Sequence, residues 1–244
     1  MGRESGRTSW PGPSSVNANR LLALYLTKIM PILIKWHGHA CFEIGDHVTI
    51  VTDPHDGRSI GLKPPSAKAD IVLISHKHFD HADGLPYVRK DGTVVIDRPG
   101  SYEVRGVKIT GVSTYHDESR GARRGPNTAY AFEVEGIRFC HLGDLGHVLS
   151  EEQARSLRPV DVLMIPVGGT FTIDARQADR VAEMLSPRLI IPMHFKVPGL
   201  NLPIAGVEAF VAKKENVERA SSNTYSISKE ALPSQPKIVV LSPP

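Results

Sequence analysis

The order of strand-like and helix-like segments predicts an α/β fold of stacked sheets with helices on the outside. Short β-branched and aromatic runs recur between turn residues, a hairpin signal sits beside strand–helix alternation, and amphipathic stretches open on capping residues. With 244 residues, 41% of them hydrophobic and 23% charged, the chain is long and apolar enough to bury one sizeable core.

Residues 1–29 include Pro11, Gly12, Pro13, Ser14 and Ser15 in succession and predict a mobile extension, with a short helix from Leu21 as the alternative for its second half. A single domain is expected over 30–244. Strands are predicted at 32–36, 41–44, 47–52, 71–75 and 93–96, then at 107–114, 128–134, 137–141, 160–166 and 188–191, with 238–241 closing the chain. Glu135-Gly136 reads as the turn of a hairpin. Ser150 ahead of Glu151-Glu152-Gln153 marks a helix start, and Asp174 opens an amphipathic helix to Leu185 that Ser186-Pro187 stops. A further helix is predicted over 204–214.

Lys and Arg total 29 against 26 Asp and Glu, a net charge of +3 spread along the chain. The densest basic cluster holds only Arg120, Arg123 and Arg124, too little for a nucleic-acid surface; it reads as a solvated loop or as a grip on an anionic small substrate. The apolar run 21–34 is broken by Lys28 and Pro31 and falls short of the ~20 residues of a membrane helix, so no membrane partner is expected. Cys41 and Cys140 lie in separate strand-like runs without zinc-knuckle spacing and read as buried free thiols, which fits a cytoplasmic protein. A homo-oligomer is left open.

One segment carries chemistry. The apolar strand at 71–74 runs into Ser75-His76-Lys77-His78-Phe79-Asp80-His81, which places four metal-ligating side chains within six residues. On extended backbone, residues two apart point the same way, so His76 and His78 can grip one ion. Asp80 and His81 follow where the chain must turn and can face a second. One loop cannot complete two coordination spheres, so further ligands are sought after other apolar strands. His116, Asp144 in His141-Leu142-Gly143-Asp144, and His194 occupy such positions.

The HxHxDH segment, His116, Gly143-Asp144 and His194, in that order, resemble the metallo-β-lactamase superfamily over about residues 30 to 200. Trp36-His37-Gly38-His39-Ala40, Thr52-Asp53-Pro54, Pro166-Val167-Gly168-Gly169 and Pro192-Met193-His194-Phe195 narrow the resemblance to a branch of small metal-dependent hydrolases that includes an ascorbate-phosphate lactonase. The resemblance implies a four-layer αβ/βα sandwich with the site at one edge of the two sheets. It also implies His76, His78 and His116 on one metal, Asp80, His81 and His194 on the other, and Asp144 bridging both. Two divalent ions are expected, zinc foremost, with manganese or iron accepted by the same donors.

The chemistry expected of such a centre is hydrolysis of a small ester, lactone or phosphorylated sugar lactone by a metal-bound hydroxide, with Asp80 orienting it or relaying a proton. Phosphodiester or RNA cleavage is the alternative, followed by a metal-binding protein without turnover. Asp53 is expected to buttress the metal loop by hydrogen bonds, and His39 either to do the same or to satisfy a backbone group. His141 and His147 read as surface or supporting residues, while His37, His47 and His55 carry no spacing that demands metal. The Gly168-Gly169-Thr170-Phe171-Thr172 stretch reads equally as a pocket wall and as a plain loop.

Overall fold

The computed structural model describes residues 1–2, 31–45 and 47–244, and the fold is that of the unit Pro31–Pro244. Beyond Gly2, the extension expected over 1–29 and the helix considered from Leu21 lie outside the described residues. The strands run β1 (Ile32–Trp36), β2 (Phe42–Gly45), β3 (Ile50–Thr52), β4 (Ile71–Leu73), β5 (Val94–Ile96), β6 (Gly100–Val104) and β7 (Val107–Tyr115). They continue as β8 (Pro126–Val134), β9 (Ile137–His141), β10 (Val162–Pro166), β11 (Leu189–Met193), β12 (Val217–Arg219), β13 (Thr224–Ile227) and β14 (Lys237–Val240). One sheet has the order β13-β1-β2-β3-β4-β5 and the other β12-β14-β11-β10-β9-β8-β7-β6.

Parallel neighbours need a crossover between them, and this decides where the helices lie. The crossover from β4 to β5 carries α1 (Phe79–Ala82) and α2 (Leu85–Val88); those from β9 to β10 and from β10 to β11 carry α3 (Glu151–Leu157) and α4 (Ala175–Leu185). Both longer helices begin as the sequence predicts. Ser150 and Asp174 each accept from the backbone N–H three residues on, and Gln153 and Gln177 reach back to complete a capping box. Between β8 and β9, Glu135 and Gly136 both have positive φ, 46° and 73°, as a tight hairpin turn requires.

The two-residue period of the strands builds the layers. Ile50, Ile71 and Leu73 face the core between the sheets with Trp36, Phe42, Tyr130 and Phe139, whereas Val51, Val72 and Ile74 turn outward onto Ala67, Ala69 and Val88. Ala178, Val181 and Leu185 of α4 are buried against the second sheet. Helices, sheet, sheet and helices thus form the expected four-layer αβ/βα sandwich.

Three strands and one helix depart from expectation. β6, β12 and β13 are short and mostly half-exposed, so they lack the apolar alternation that marks a strand. The helix expected over 204–214 shrinks to α5 (Glu208–Val211) because Val207 offers no capping side chain and Lys213 takes a left-handed φ of 64°.

Candidate metal centre

Every predicted site residue sits just past the C-terminal end of a strand, and all are brought together at one edge of the two sheets. His76, His78, Asp80 and His81 follow β4, His116 follows β7, Asp144 follows β9 by the turn Leu142-Gly143, and His194 follows β11. The four-residue α1 begins immediately after His78, so Asp80 and His81 occupy its single turn. His76, Asp80, His81, His116, Asp144 and His194 are buried, and His78 is the exposed member.

Asp144 is the hub. Its Oδ1 lies 3.1 Å from His81 Nε2, and its Oδ2 lies 3.2 Å from His116 Nε2, 3.3 Å from His194 Nε2 and 3.9 Å from His76 Nε2. His76 Nε2 and His78 Nδ1 are 3.0 Å apart. Three sets of donor atoms lie within 4.8 Å of one another and can each hold a cation: His76, His78 and His116; His76, His81 and Asp144; and His39, Asp80, His81 and His194.

His81 Nε2, His194 Nε2 and Asp144 Oδ1 are buried with no hydrogen-bond partner. A buried polar atom left unsatisfied costs about 1–3 kcal/mol, and three such atoms converging within one cluster suit a cation that would accept all their lone pairs. Imidazole nitrogens and carboxylate oxygens without a thiolate form a donor set that divalent zinc, manganese or iron accepts. Cys41 and Cys140 are free and buried, and neither belongs to a donor set.

The electrostatics of the protein's own groups are dominated by the same cluster. Burial opposes the ionisation of Asp144, yet His194 and His81 hold its carboxyl well below the usual range. Burial likewise works against Asp80, but His81 and a hydrogen bond from His39 keep its pKa low. His81 is desolvated, but the carboxylates of Asp144, Asp80 and Asp53 raise its pKa well above the ordinary value. Burial and the neighbouring His81 depress His76 to about 3.

A supporting layer fixes the tautomers. Asp53 accepts from Ser75 N at 2.7 Å, from Ser75 Oγ at 2.7 Å and from His81 Nδ1 at 2.9 Å. His81 therefore presents Nε2 to Asp144. Ser75 Oγ, having donated to Asp53, accepts from His76 Nδ1 at 2.9 Å, which frees His76 Nε2 as a donor of its lone pair. Asp53 thus has the buttressing position expected of it. His39 also faces the cluster, with Nε2 3.1 Å from Asp80 Oδ2, while its carbonyl accepts from His194 N at 3.1 Å. His39, Asp53 and His194 all have left-handed φ, 54°, 38° and 50°, a sparsely populated region for side-chain-bearing residues.

The reading of His141 as a possible surface residue is corrected, because it is fully buried. Its Nε2 donates to Ala40 O at 2.9 Å and its Nδ1 accepts from Gly143 N at 3.2 Å, which locks the turn leading to Asp144. Gly143 itself cannot carry a side chain: its φ is 55° and an added Cβ would lie 2.4 Å from Ser75 Cβ. His147 stays outside the cluster, its Nε2 accepting from Tyr115 N. His37 pairs with Glu43 at 2.9 Å, and His55 donates to His37 O. Asn127 was not legible in advance. Its Oδ1 accepts from Asp144 N at 3.0 Å and its Nδ2 donates to Thr114 Oγ1 and Leu142 O, contacts that only the paired strands create.

The nearest cavity, about 430 Å³, opens at His116 between the segments 116–125 and 168–172. Larger clefts of about 690 and 930 Å³ lie against α3 and beside α5 and include none of the predicted ligands.

Comparison with known proteins identifies the architecture. The family model described as the β-lactamase superfamily domain matches residues 33–194. A UPF0173 metal-dependent hydrolase of Thermococcus onnurineus is 31% identical over 189 residues, 67% of this chain and 84% of its own. One of Thermoplasma acidophilum is 28% identical over 184 residues, 66% and 82% of the two chains. A solved metallo-β-lactamase superfamily protein of Thermotoga maritima matches with a TM-score of 0.72 and 41% identity, over 86% of this chain and 98% of its own. A metallo hydrolase of Ignicoccus hospitalis shares the fold at a TM-score of 0.55 and 21% identity, over 70% and 86% of the two chains. The chain belongs to the metallo-β-lactamase superfamily.

Proposed function

We propose that the protein is a metal-dependent hydrolase that opens a small ester, a lactone or phosphorylated sugar lactone above all, at a two-ion centre. The observation that carries this reading is the convergence on Asp144 of buried donor atoms from three other strand ends, several without a hydrogen-bond partner. In this assignment His76, His78 and His116 hold one ion, Asp80, His81 and His194 hold the other, and Asp144 is shared. The position of Asp144 supports the sharing, since its carboxylate lies 3.2 Å from His116 of the first set and 3.1 and 3.3 Å from His81 and His194 of the second. Zinc is the first choice for these donors, with manganese or iron as substitutes.

When bound, such ions polarise a carbonyl oxygen and make hydroxide available near neutral pH. Asp80 orients the attacking water, and the hydrogen bond from His39 Nε2 to its Oδ2 holds the carboxylate in place. Asp53 and Ser75 hold His81 and His76 in the tautomers that present Nε2. Gly143 and Asn127 fix the height of Asp144 at the sheet edge.

Among the described residues no helix is long and apolar enough to cross a membrane. The buried free thiols fit the cytoplasm as the place of work. The reading is tested by assaying metal-loaded protein against a lactone panel and a phosphodiester panel, with Asp144→Asn as the blank. Lactone turnover lost in the variant is the expected result. Turnover of phosphodiesters alone, or activity in chelator-stripped protein, would replace it.

A further inference from the structure

We infer that the cavity beside His116 is an anion-recognition subsite, in which Arg124, supported by Arg123, seats a phosphate or carboxylate carried by the substrate. The inference rests on the hydrolase reading for the word substrate, while the side chains that carry it, Arg123, Arg124 and Phe171, belong to none of the metal donor sets. The cavity, about 430 Å³, has the size of a small-ligand pocket, and His116, Arg123, Arg124, Phe171, Thr172 and Gln177 are among its walls. A group bound there lies next to the metal centre because His116 belongs to both.

The loop that supplies the arginines is built to hold still. Asp117 Oδ1 accepts from Ser119 N at 2.7 Å and Gly121 N at 3.0 Å, and its Oδ2 accepts from Arg123 N at 3.0 Å and Arg124 N at 2.8 Å. The loop then closes on its own start, with His116 N donating to Gly125 O at 3.1 Å. One carboxylate thus organises four backbone N–H groups and fixes the points from which both arginine side chains leave.

Charge on the cavity wall is unevenly satisfied. The Asp117 carboxylate is consumed by those backbone donors, and Glu118 Oε1 accepts from Gln177 Nε2 at 2.6 Å. Among the described residues, neither Arg123 nor Arg124 has a carboxylate partner, although Asp117 and Glu118 share the cavity wall with them. The Arg124 guanidinium lies over the Phe171 ring, 4.5 Å from its centroid, so one face of the planar group is held by a cation–π contact while its N–H edge is left for a ligand. An unpaired guanidinium stacked on an aromatic ring suits bidentate recognition of phosphate or carboxylate better than an ammonium would. Phe171 comes from the opposite wall, where Gly169 and Thr170 both take left-handed φ near 60°. The contact therefore joins the two loops across the mouth of the cavity.

The test is calorimetric titration of metal-loaded wild type, Arg124→Ala, Arg124→Lys and Arg123→Ala with glucose 6-phosphate, glucuronate and glucose, three probes that differ in the group at one position. The expected result is at least tenfold weaker binding of an anionic probe in Arg124→Ala, partial recovery in Arg124→Lys, and unaltered metal content. A loss confined to glucose 6-phosphate or to glucuronate names the anion as phosphate or carboxylate. Anionic probes that bind Arg124→Ala as tightly as wild type, or that fail to bind wild type, overturn the subsite. A kinetic arm uses gluconolactone with and without a 6-phosphate, where the ratio of kcat/KM for phosphorylated over neutral lactone is expected to fall at least tenfold in Arg124→Ala. If neither lactone turns over, the hydrolase reading fails while the titration still decides the subsite; if both turn over with an unchanged ratio, the hydrolase reading stands and the subsite falls.

Discussion

At the scale of single residues, the cluster is held by a carboxylate that belongs to none of the donor sets. Asp53 receives Ser75 N, Ser75 Oγ and His81 Nδ1, so one buried side chain sets the tautomers of two predicted ligands. Partners of this kind typically govern 10–100-fold in metal affinity. Asp53→Asn is therefore expected to weaken metal binding by about that factor, as read by competition with a chromophoric chelator. Affinity equal to wild type would remove Asp53 from the account. The residues from Ser75 to His81 were legible because ligand chemistry is compressed into one short segment. Asn127 was not, and His141 was legible only as one of two alternatives, because their partners, Asp144 N in one case and Ala40 O and Gly143 N in the other, are supplied by neighbouring strands and turns.

At the scale of elements, the turns that end strands matter more than the strands themselves. Gly143 holds a left-handed φ with Ser75 and Asn127 pressed against the place of a Cβ, so Gly143→Ala must push Asp144 off the histidines. The variant is expected to lose bound metal and activity together while keeping its far-ultraviolet circular dichroism; full metal occupancy would contradict the packing argument. The capping boxes of α3 and α4 lie away from the centre. Ser150→Ala and Asp174→Ala should each lower unfolding free energy by about 1 kcal/mol in urea titrations and leave metal content alone. These caps were readable in the sequence because their partners are three residues away. β6 was missed since its alternation is too weakly apolar, although Arg105-Gly106, with φ of 51° and 80°, repeats the tight-turn geometry of Glu135-Gly136. β13 was missed for a different reason: it pairs with β1 nearly two hundred residues earlier, and no local pattern encodes that partner.

At the scale of the whole molecule, stacked sheets with outer helices were legible from strand–helix alternation, whereas the four-layer order was legible only through the family resemblance that the motifs carry. The fold buries imidazoles that stay neutral: desolvation, reinforced by neighbouring histidines, holds His39 and His76 at about 3, and desolvation holds His55 at about 4, against an ordinary 6.5. Below that ordinary value the unfolded chain binds more protons at these sites than the folded one, so stability falls as pH falls. His81, whose pKa is raised, contributes in the opposite sense but is one group against five, since burial also lowers His78 and His141. Chelator-stripped protein is expected to lose melting temperature progressively from about pH 6.5 towards pH 4, and a flat or rising profile would contradict the neutral burial of these rings. Metal that binds only the folded chain raises stability by mass action, so loaded protein should melt higher at every pH where the ligands stay deprotonated.

The measurement that bears most directly on the proposed two-ion centre is lactone hydrolysis by chelator-stripped protein as zinc is titrated back. The account predicts no turnover without metal and a rise to a plateau at two equivalents per chain, absent in Asp144→Asn. Turnover by the stripped protein, or a plateau that Asp144→Asn reaches as well, would contradict it.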